Sequence, residues 1–314
     1  MASQPDLVIR GGTIADGRGG ELFEADVAMS GGRITEVGKV QGKGKQEIDA
    51  RGKLVAPGFV DVHTHYDGQV TWSQDITPSS QNGVTTAIMG NCGVGFAPCK
   101  PSDHQRLIQL MEGVEDIPEP VLSAGIPWSW ESFPDYMEWL SKRQFDIDIG
   151  AQLPHAAVRV YVMGERGARR DPSTPADNHA MAALASDAVR AGALGFSTSR
   201  TLNHRTSTGD YTPTLKAGED ELTAIAGAMQ GVGRSVLQFV LDLSTLHEDL
   251  PMMLRVAENT RCPISFSITQ NDKAPQRWRQ TLDSINEASS RGLSITAQNA
   301  TIAGTDAPAG GIVG

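Results

Sequence analysis

Val60-Asp61-Val62-His63-Thr64-His65 is the stretch on which the reading of this chain turns. Side chains on a strand alternate between faces, so Phe59, Asp61, His63 and His65 project one way while Val60, Val62 and Thr64 project the other. Two neutral imidazoles a pleat apart can reach one divalent ion, whereas a helix would split them. The turn-punctuated run Lys53-Leu54-Val55-Ala56-Pro57-Gly58 leads into Phe59 and predicts a buried strand over Phe59-His63, with the histidines at its C-terminal end. About one strand and one helix later comes Asn91-Cys92-Gly93, which offers a thiolate at the next strand end. Zinc accepts nitrogen, sulfur and oxygen donors, so His63, His65 and Cys92 together are candidate metal ligands. A bare His-x-His also arises from ordinary hydrogen bonding, and the surrounding pattern has to decide.

Upstream, short strands from Asp6 to about Lys53 are broken by Gly11-Gly12, Gly19-Gly20 and Gly31-Gly32, dipeptides that favour tight turns, which predicts a small β-domain over 1–56. Downstream, strand-like runs alternate with helical stretches. The strands expected are Phe59-His63, Thr85-Gly90, Ile149-Pro154, Leu194-Ser199, Ser235-Leu241, Ile264-Ile268 and Ser294-Gln298. The helices expected are Asp103 to Met111, Asp135 to Lys142, Asn178 to Ala191, Glu219 to Gly231 and Gln276 to Arg291. Alternation of this kind implies parallel β/α units over 57–298 and chemistry at the C-terminal strand ends. A closed barrel needs eight strands, so the count predicts an α/β fold with a TIM-like barrel that is unfinished. The stretch 299–314 is rich in small residues and lacks either periodicity. Two unpaired sheet edges predict association between copies, as a homo-oligomer or an aggregate.

Composition fits a globular enzyme: 314 residues, 39% hydrophobic and 20% charged. A formal charge of −10 disfavours a nucleic-acid partner, and Arg166, Arg169 and Arg170 read as a solvated loop patch. No basic-then-apolar leader opens the chain and no run reaches the length of a membrane span, which predicts a cytoplasmic protein. Three irregularly spaced cysteines make no disulfide framework; Cys99 and Cys262 read as small buried hydrophobes.

The order small β-domain, Ala56-Pro57-Gly58-Phe59-Val60-Asp61, then His-x-His resembles the amidohydrolase superfamily. Gly83-Val84-Thr85-Thr86 through Gly90-Asn91-Cys92-Gly93 narrows the resemblance to the N-acyl-D-amino-acid deacylases (D-aminoacylases), as do Gly113-Val114-Glu115-Asp116-Ile117-Pro118, Pro154-His155 and Gly192-Ala193-Leu194-Gly195-Phe196-Ser197. The resemblance implies a cysteine as metal ligand, zinc as the ion, a hydrolysed non-peptide amide in a small N-acyl amino acid, and a β-sandwich built partly from the N-terminal strands. It also implies a longer chain, with closing strands and an aspartate acting as general base near the metal. A cyclic-amide hydrolase is disfavoured, because no lysine stands at the strand end Leu194-Gly195-Phe196-Ser197 to serve as a carboxylated bridge.

Two features depart from that pattern. The family places histidines after its fifth and sixth strands, where this chain has Leu237-Gln238-Phe239-Val240 and Phe266-Ser267-Ile268-Thr269-Gln270. Gln238 or Gln270 would be a weak donor, and His247 stands beyond the first of these strands where a helix begins. These departures support the rival reading of a noncatalytic fragment. Asp61 either orients an imidazole or caps backbone groups. His155 and Arg159 resemble a pair after the family's third strand, either lining the pocket or held by structural hydrogen bonds. Arg200 could clamp a substrate carboxylate or form a loop ion pair, and His204 stands nearby. His104 and His179 read as solvated. Trp128, Trp130, Phe133, Tyr136 and Trp139 read as core packing.

Overall fold

A computed structural model describes residues 4–242, 246–268 and 275–299. The chain divides between Phe59 and Val60 into two compact units.

The first unit carries β1 (Leu7–Ile14), β2 (Phe23–Ser30), β3 (Arg33–Gly38), β4 (Gln46–Asp49) and β5 (Leu54–Val55). They form one sheet in the order β3-β2-β1-β4, with β5 also pairing β1. Gly31 and Gly32, both at positive φ, close the β2–β3 hairpin between paired Ser30 and Arg33, as a two-residue turn of primed type requires. Gly11-Gly12 makes no turn. It is a register shift inside β1, where a side chain on Gly12 would overlap Val55. The unit's core is small: Val8, Ala28 and Val40. Among the described residues this unit has a single sheet, and the second layer of a sandwich is not among them.

The second unit alternates strands and helices. Its strands are β6 (Phe59–Asp61), β7 (Val84–Met89), β8 (Asp148–Ala151), β9 (Leu153–Pro154), β10 (Gly195–Ser199), β11 (Val236–Val240), β12 (Ile264–Ile268) and β13 (Ile295–Asn299). Its helices are α1 (His104–Glu115), α2 (Glu119–Gly125), α3 (Phe133–Ser141), α4 (His155–Met163), α5 (Glu165–Ala168), α6 (Pro175–Arg190), α7 (Glu219–Gln230), α8 (Leu246–Thr260) and α9 (Arg277–Ser290). The sheets run β6-β7-β8 and β9-β10-β11-β12-β13, and β7/β8 and every pair from β9 to β13 are parallel.

Only Gln152 separates β8 from β9. Its N–H donates to the Met89 carbonyl at 2.9 Å while Leu194 N–H donates to Ala151 at 2.9 Å, so hydrogen bonding passes from one sheet to the other across this residue. The strands thereby form one α/β arc ending in β6 and β13. These ends are linked by a side chain, with His63 Nδ1 2.9 Å from Gln298 Oε1.

Helix starts follow the local chemistry. Ser132/Asp135 and Thr174/Asp177 make capping boxes for α3 and α6, each with proline in the first turn. Met181, Ala185 and Ala188 of α6 and Leu222, Ile225, Ala226 and Met229 of α7 are fully buried at helical spacing. α4 escaped the sequence reading because it is buried nearly all round and its sequence has no polar face to set a period. The aromatic cluster is core, with Trp130 packed on Tyr136 and Trp139. His104 is not simply solvated: its ring stacks on Trp128 at 3.8 Å.

Candidate metal centre

β6 ends at Asp61, short of the expected His63, so the histidines lie beyond the strand. Their alternation survives because Thr64 is pinned to β7: its N–H and Oγ1 donate to the Ile88 carbonyl at 3.0 and 2.8 Å. With Thr64 turned to the interior, the imidazoles on either side of it face together, ring centroids 5.5 Å apart.

The thiol comes from the turn after β7. Gly90, Cys92 and Gly93 all adopt positive φ, which costs a non-glycine residue of order 1–3 kcal/mol. The cost at Cys92 is offset by dense bonding. Asn91 donates to the Thr64 and Ile88 carbonyls at 3.2 and 2.8 Å and accepts from Gln152 at 2.7 Å. Gly93 N–H donates to Ser197 Oγ at 2.9 Å, and Ser197 donates to the Gly90 carbonyl. Ala156 N–H at the start of α4 donates to Gly93 O at 2.9 Å.

Cys92 Sγ thereby stands 3.1 Å from His63 Nε2 and 3.4 Å from His65 Nε2, and the ligand atoms of the three residues all lie within 4.8 Å of one another. Zinc bond lengths in a tetrahedron imply donor separations of about 3.5 Å, so this N, N, S set fits such an ion. Burial holds His63 below the ordinary imidazole range. It holds His65 well below, with the neighbouring His63 and His204 adding to the effect. Both rings are therefore neutral near pH 7, with lone pairs to offer. Burial, then the Glu115 and Asp67 carboxyls, push the Cys92 thiol well up, so without a cation it keeps its proton. His65 Nδ1 is buried without a hydrogen-bond partner. Asp67, raised to about 7 by burial, accepts from Gly90 N–H at 3.2 Å.

The other candidates separate from the trio. Asp61 caps backbone: its Oδ1 accepts from His63 N–H at 3.3 Å, and its Oδ2 lies 3.5 Å from Ser79 Oγ. His155 and Arg159 do not line an open pocket. They are fully buried in α4 around Glu221, with His155 Nε2 2.6 Å from Oε1, Arg159 Nη1 on Oε2, and His155 Nδ1 2.8 Å from Thr198 Oγ1. Arg200 gives Nε to Asp249 at 2.6 Å and Nη1 to the Ala217 carbonyl at 2.7 Å, the geometry of an ion pair rather than of an open clamp. Gln238 is buried with both ends of its amide engaged, Oε1 accepting from Cys92 N–H at 3.3 Å and Nε2 donating to Phe239 O at 3.0 Å. It supports the thiol turn instead of offering a donor. His247 is exposed on α8 beside Glu248, and Gln270 lies outside the described residues. The arginine patch is tied up locally: Arg166 of α5 pairs with Asp177 of α6, and Arg170 donates to the Tyr211 carbonyl.

Sequence reasoning passed over Glu115 and ranked His204 only as a weak candidate beside Arg200. Glu115 Oε1 lies 3.2 Å from His65 Nε2. His204, on the loop after β10, is held by Ser199 Oγ at 2.8 Å and lowered to about 4 by burial and by the charge of His63. A carboxylate at a helix end reads as solvated, and nothing in the local pattern brings either group to the trio.

The Amidohydrolase family profile matches residues 46–307. The chain belongs to the amidohydrolase family. It is 31% identical to the N-acyl-D-aspartate deacylase of Alcaligenes xylosoxydans xylosoxydans over 91% of this chain and 54% of that one. Among solved structures it resembles a D-aminoacylase described as defining a novel subset of amidohydrolases, at 27% identity and a TM-score of 0.76, covering 95% of this chain and 59% of the other. It also resembles the N-acyl-D-glutamate deacylase of Bordetella bronchiseptica complexed with zinc and a phosphonate mimic of the tetrahedral intermediate, at 25% identity and a TM-score of 0.75, covering 96% and 59%. This amidohydrolase thus spans about half the length of the curated relatives it matches. The likeness agrees with the expected deacylase resemblance and with an α/β fold; a complete barrel is outside what the described strands include.

Proposed function

We propose that this amidohydrolase is a metal-dependent hydrolase of non-peptide C–N bonds, acting on a small N-acyl amino acid, with one zinc ion held by His63, His65 and Cys92. The observation that carries the reading is the convergence of two neutral imidazoles and a thiol within 4.8 Å at adjacent strand ends. When bound, zinc supplies polarisation of an amide carbonyl and a water acidic enough to act as a nucleophile near neutral pH. The chain's own residues hold the imidazoles neutral, fix the thiol through the strained turn, and keep water from its buried sulfur. All three cysteines are free thiols, which suits a reducing compartment such as the cytoplasm. Among the described residues no helix is long and apolar enough to cross a membrane.

A second reading, a noncatalytic scaffold, is favoured by two observations. Gln238 of β11 is committed to Cys92, and β12 has no histidine among its described residues. Elemental analysis of purified wild type and Cys92→Ala, with N-acyl-D-amino-acid hydrolysis run on the same samples, separates the two. Near-stoichiometric zinc that disappears in the variant, together with amide cleavage by the wild type alone, is the expected result. Absence of metal from both would leave the scaffold reading standing.

A further inference from the structure

We infer that Glu115 is a fourth donor of the cation site, its carboxylate delivered to the His63, His65 and Cys92 cluster from the C-terminal end of α1. The inference rests on the reading of those three residues as ligands.

Glu115 is placed by the helix. Leu107, Ile108, Leu110 and Met111 are the buried stripe of α1, and Glu115 follows Met111 by four residues, so its carboxylate emerges on the apolar side. The last turn is fixed on both sides. Gly113 lies directly under the 205–207 backbone, where a side chain would overlap Arg205 and Thr206, and Ser207 N–H donates to Gln109 O at 2.9 Å. Asp116 then ends the helix in the left-handed region, its N–H returning to Glu112 O at 3.0 Å. Glu115 Oε1 meets His65 Nε2 at 3.2 Å, the same nitrogen that stands 3.4 Å from Cys92 Sγ.

Electrostatics say what this group lacks. A helix C-terminus carries a partial negative charge and disfavours a carboxylate. Its side chain is only 19% exposed, and the charges that act on it, those of Asp67 and Asp116, are both of its own sign. Among the described residues its one ion-pair contact is with His65, and no lysine or arginine forms a salt bridge with it. A divalent cation is the partner that would offset burial, helix end and like charges together. Two imidazoles, a thiolate and a carboxylate suit zinc and its transition-metal neighbours, while the sulfur disfavours magnesium and calcium. The rival role is a plain hydrogen bond from His65 Nε2–H to Glu115, which would occupy the nitrogen the ion needs and weaken binding.

The two roles predict opposite signs. Zinc affinity of the full, metal-stripped chain is measured by competition with a chromophoric chelator for wild type, Glu115→Gln, Glu115→Asp and Cys92→Ser, with visible spectra of the cobalt(II) forms. The expected result is at least about a tenfold loss of affinity in Glu115→Gln. Its cobalt ligand-field bands should change while the sulfur-to-cobalt charge-transfer band is kept; Cys92→Ser should lose that band. Glu115→Asp, which keeps the charge but withdraws it by one methylene, should also lose affinity and serves if the glutamine variant does not fold. Unchanged or tighter binding in Glu115→Gln, with loss in Cys92→Ser, would overturn the role of Glu115 and leave the three-ligand site intact. Absence of zinc binding in wild type would overturn both.

Discussion

The thiol turn after β7 and the strand ends at β11 and β12 sit at the same end of one arc, yet they are built to different standards. The turn holds Cys92 at positive φ against Asn91, Gln152, Ser197 and Ala156, and behind it the buried His155, Glu221 and Arg159 anchor the start of α4. At β11 the side chain facing this turn is Gln238, which serves the turn and offers no ligand of its own. The contrast teaches that the chain concentrates its polar bonding on presenting one sulfur and two imidazoles, and lets β11 act as a support.

The comparison breaks most severely at Glu221. Glu221→Gln leaves the Arg159 cation buried beside a neutral partner, and loss of one member of a buried ion pair costs about 3–5 kcal/mol. Denaturant unfolding should register that loss, and a change under about 1 kcal/mol would mean that α4 does not depend on the pair. The same group fixes the acid limb of stability. Burial opposes the Glu221 carboxylate, but His155 and Arg159 outweigh it and hold the group at about 2 against an ordinary 4.5. Burial also depresses His155 below its ordinary 6.5. Both folded groups resist protons that the unfolded chain accepts, so stability is full above about pH 6.5 and declines as pH falls towards 2. Melting temperature followed across that range should fall monotonically, and less steeply in Glu221→Gln.

Gly90→Ala is the next largest. The position combines positive φ with a Cβ that would overlap the Gln152 carbonyl, so the turn must shift, at a cost of about 2–3 kcal/mol. Metal retention should fall with it. An alanine variant that melts and binds zinc like wild type would show that the turn is not the rigid partner in the comparison. Gln238→Ala should be milder. It strips the acceptor from Cys92 N–H, a loss of about 1–3 kcal/mol, and should weaken zinc binding less than Gly90→Ala. The reverse order would make β11 the dominant support.

Much of this was legible from residue types alone. The strands from β7 onward follow from apolar runs with turn punctuation, and the helices α6, α7 and α9 fall within three residues of their expected bounds because each has buried apolar residues at helical spacing, with a capping box at the start of α6. What escaped had a physical reason. α4 has no polar face, so its histidine and arginine looked like strand-end residues, although they are interior groups satisfied by a glutamate distant in sequence. Glu115 was invisible because its meaning comes from a helix end meeting a strand end. Gln238 read as a poor ligand because an amide oxygen binds zinc weakly, and its actual role escaped because its partner, the backbone N–H of Cys92, belongs to a turn distant in sequence.

One detail of the imidazole pair has a genetic consequence. The two rings owe their common direction to Thr64, whose twin bonds to Ile88 fix the phase of the segment after β6. A single inserted or deleted residue between Asp61 and Thr64 would invert that phase, sending the hydroxyl outward and the rings into the sheet interior. Substitutions in Val60 or Val62 would be absorbed by repacking, whereas a length change of one residue would turn the centre inside out.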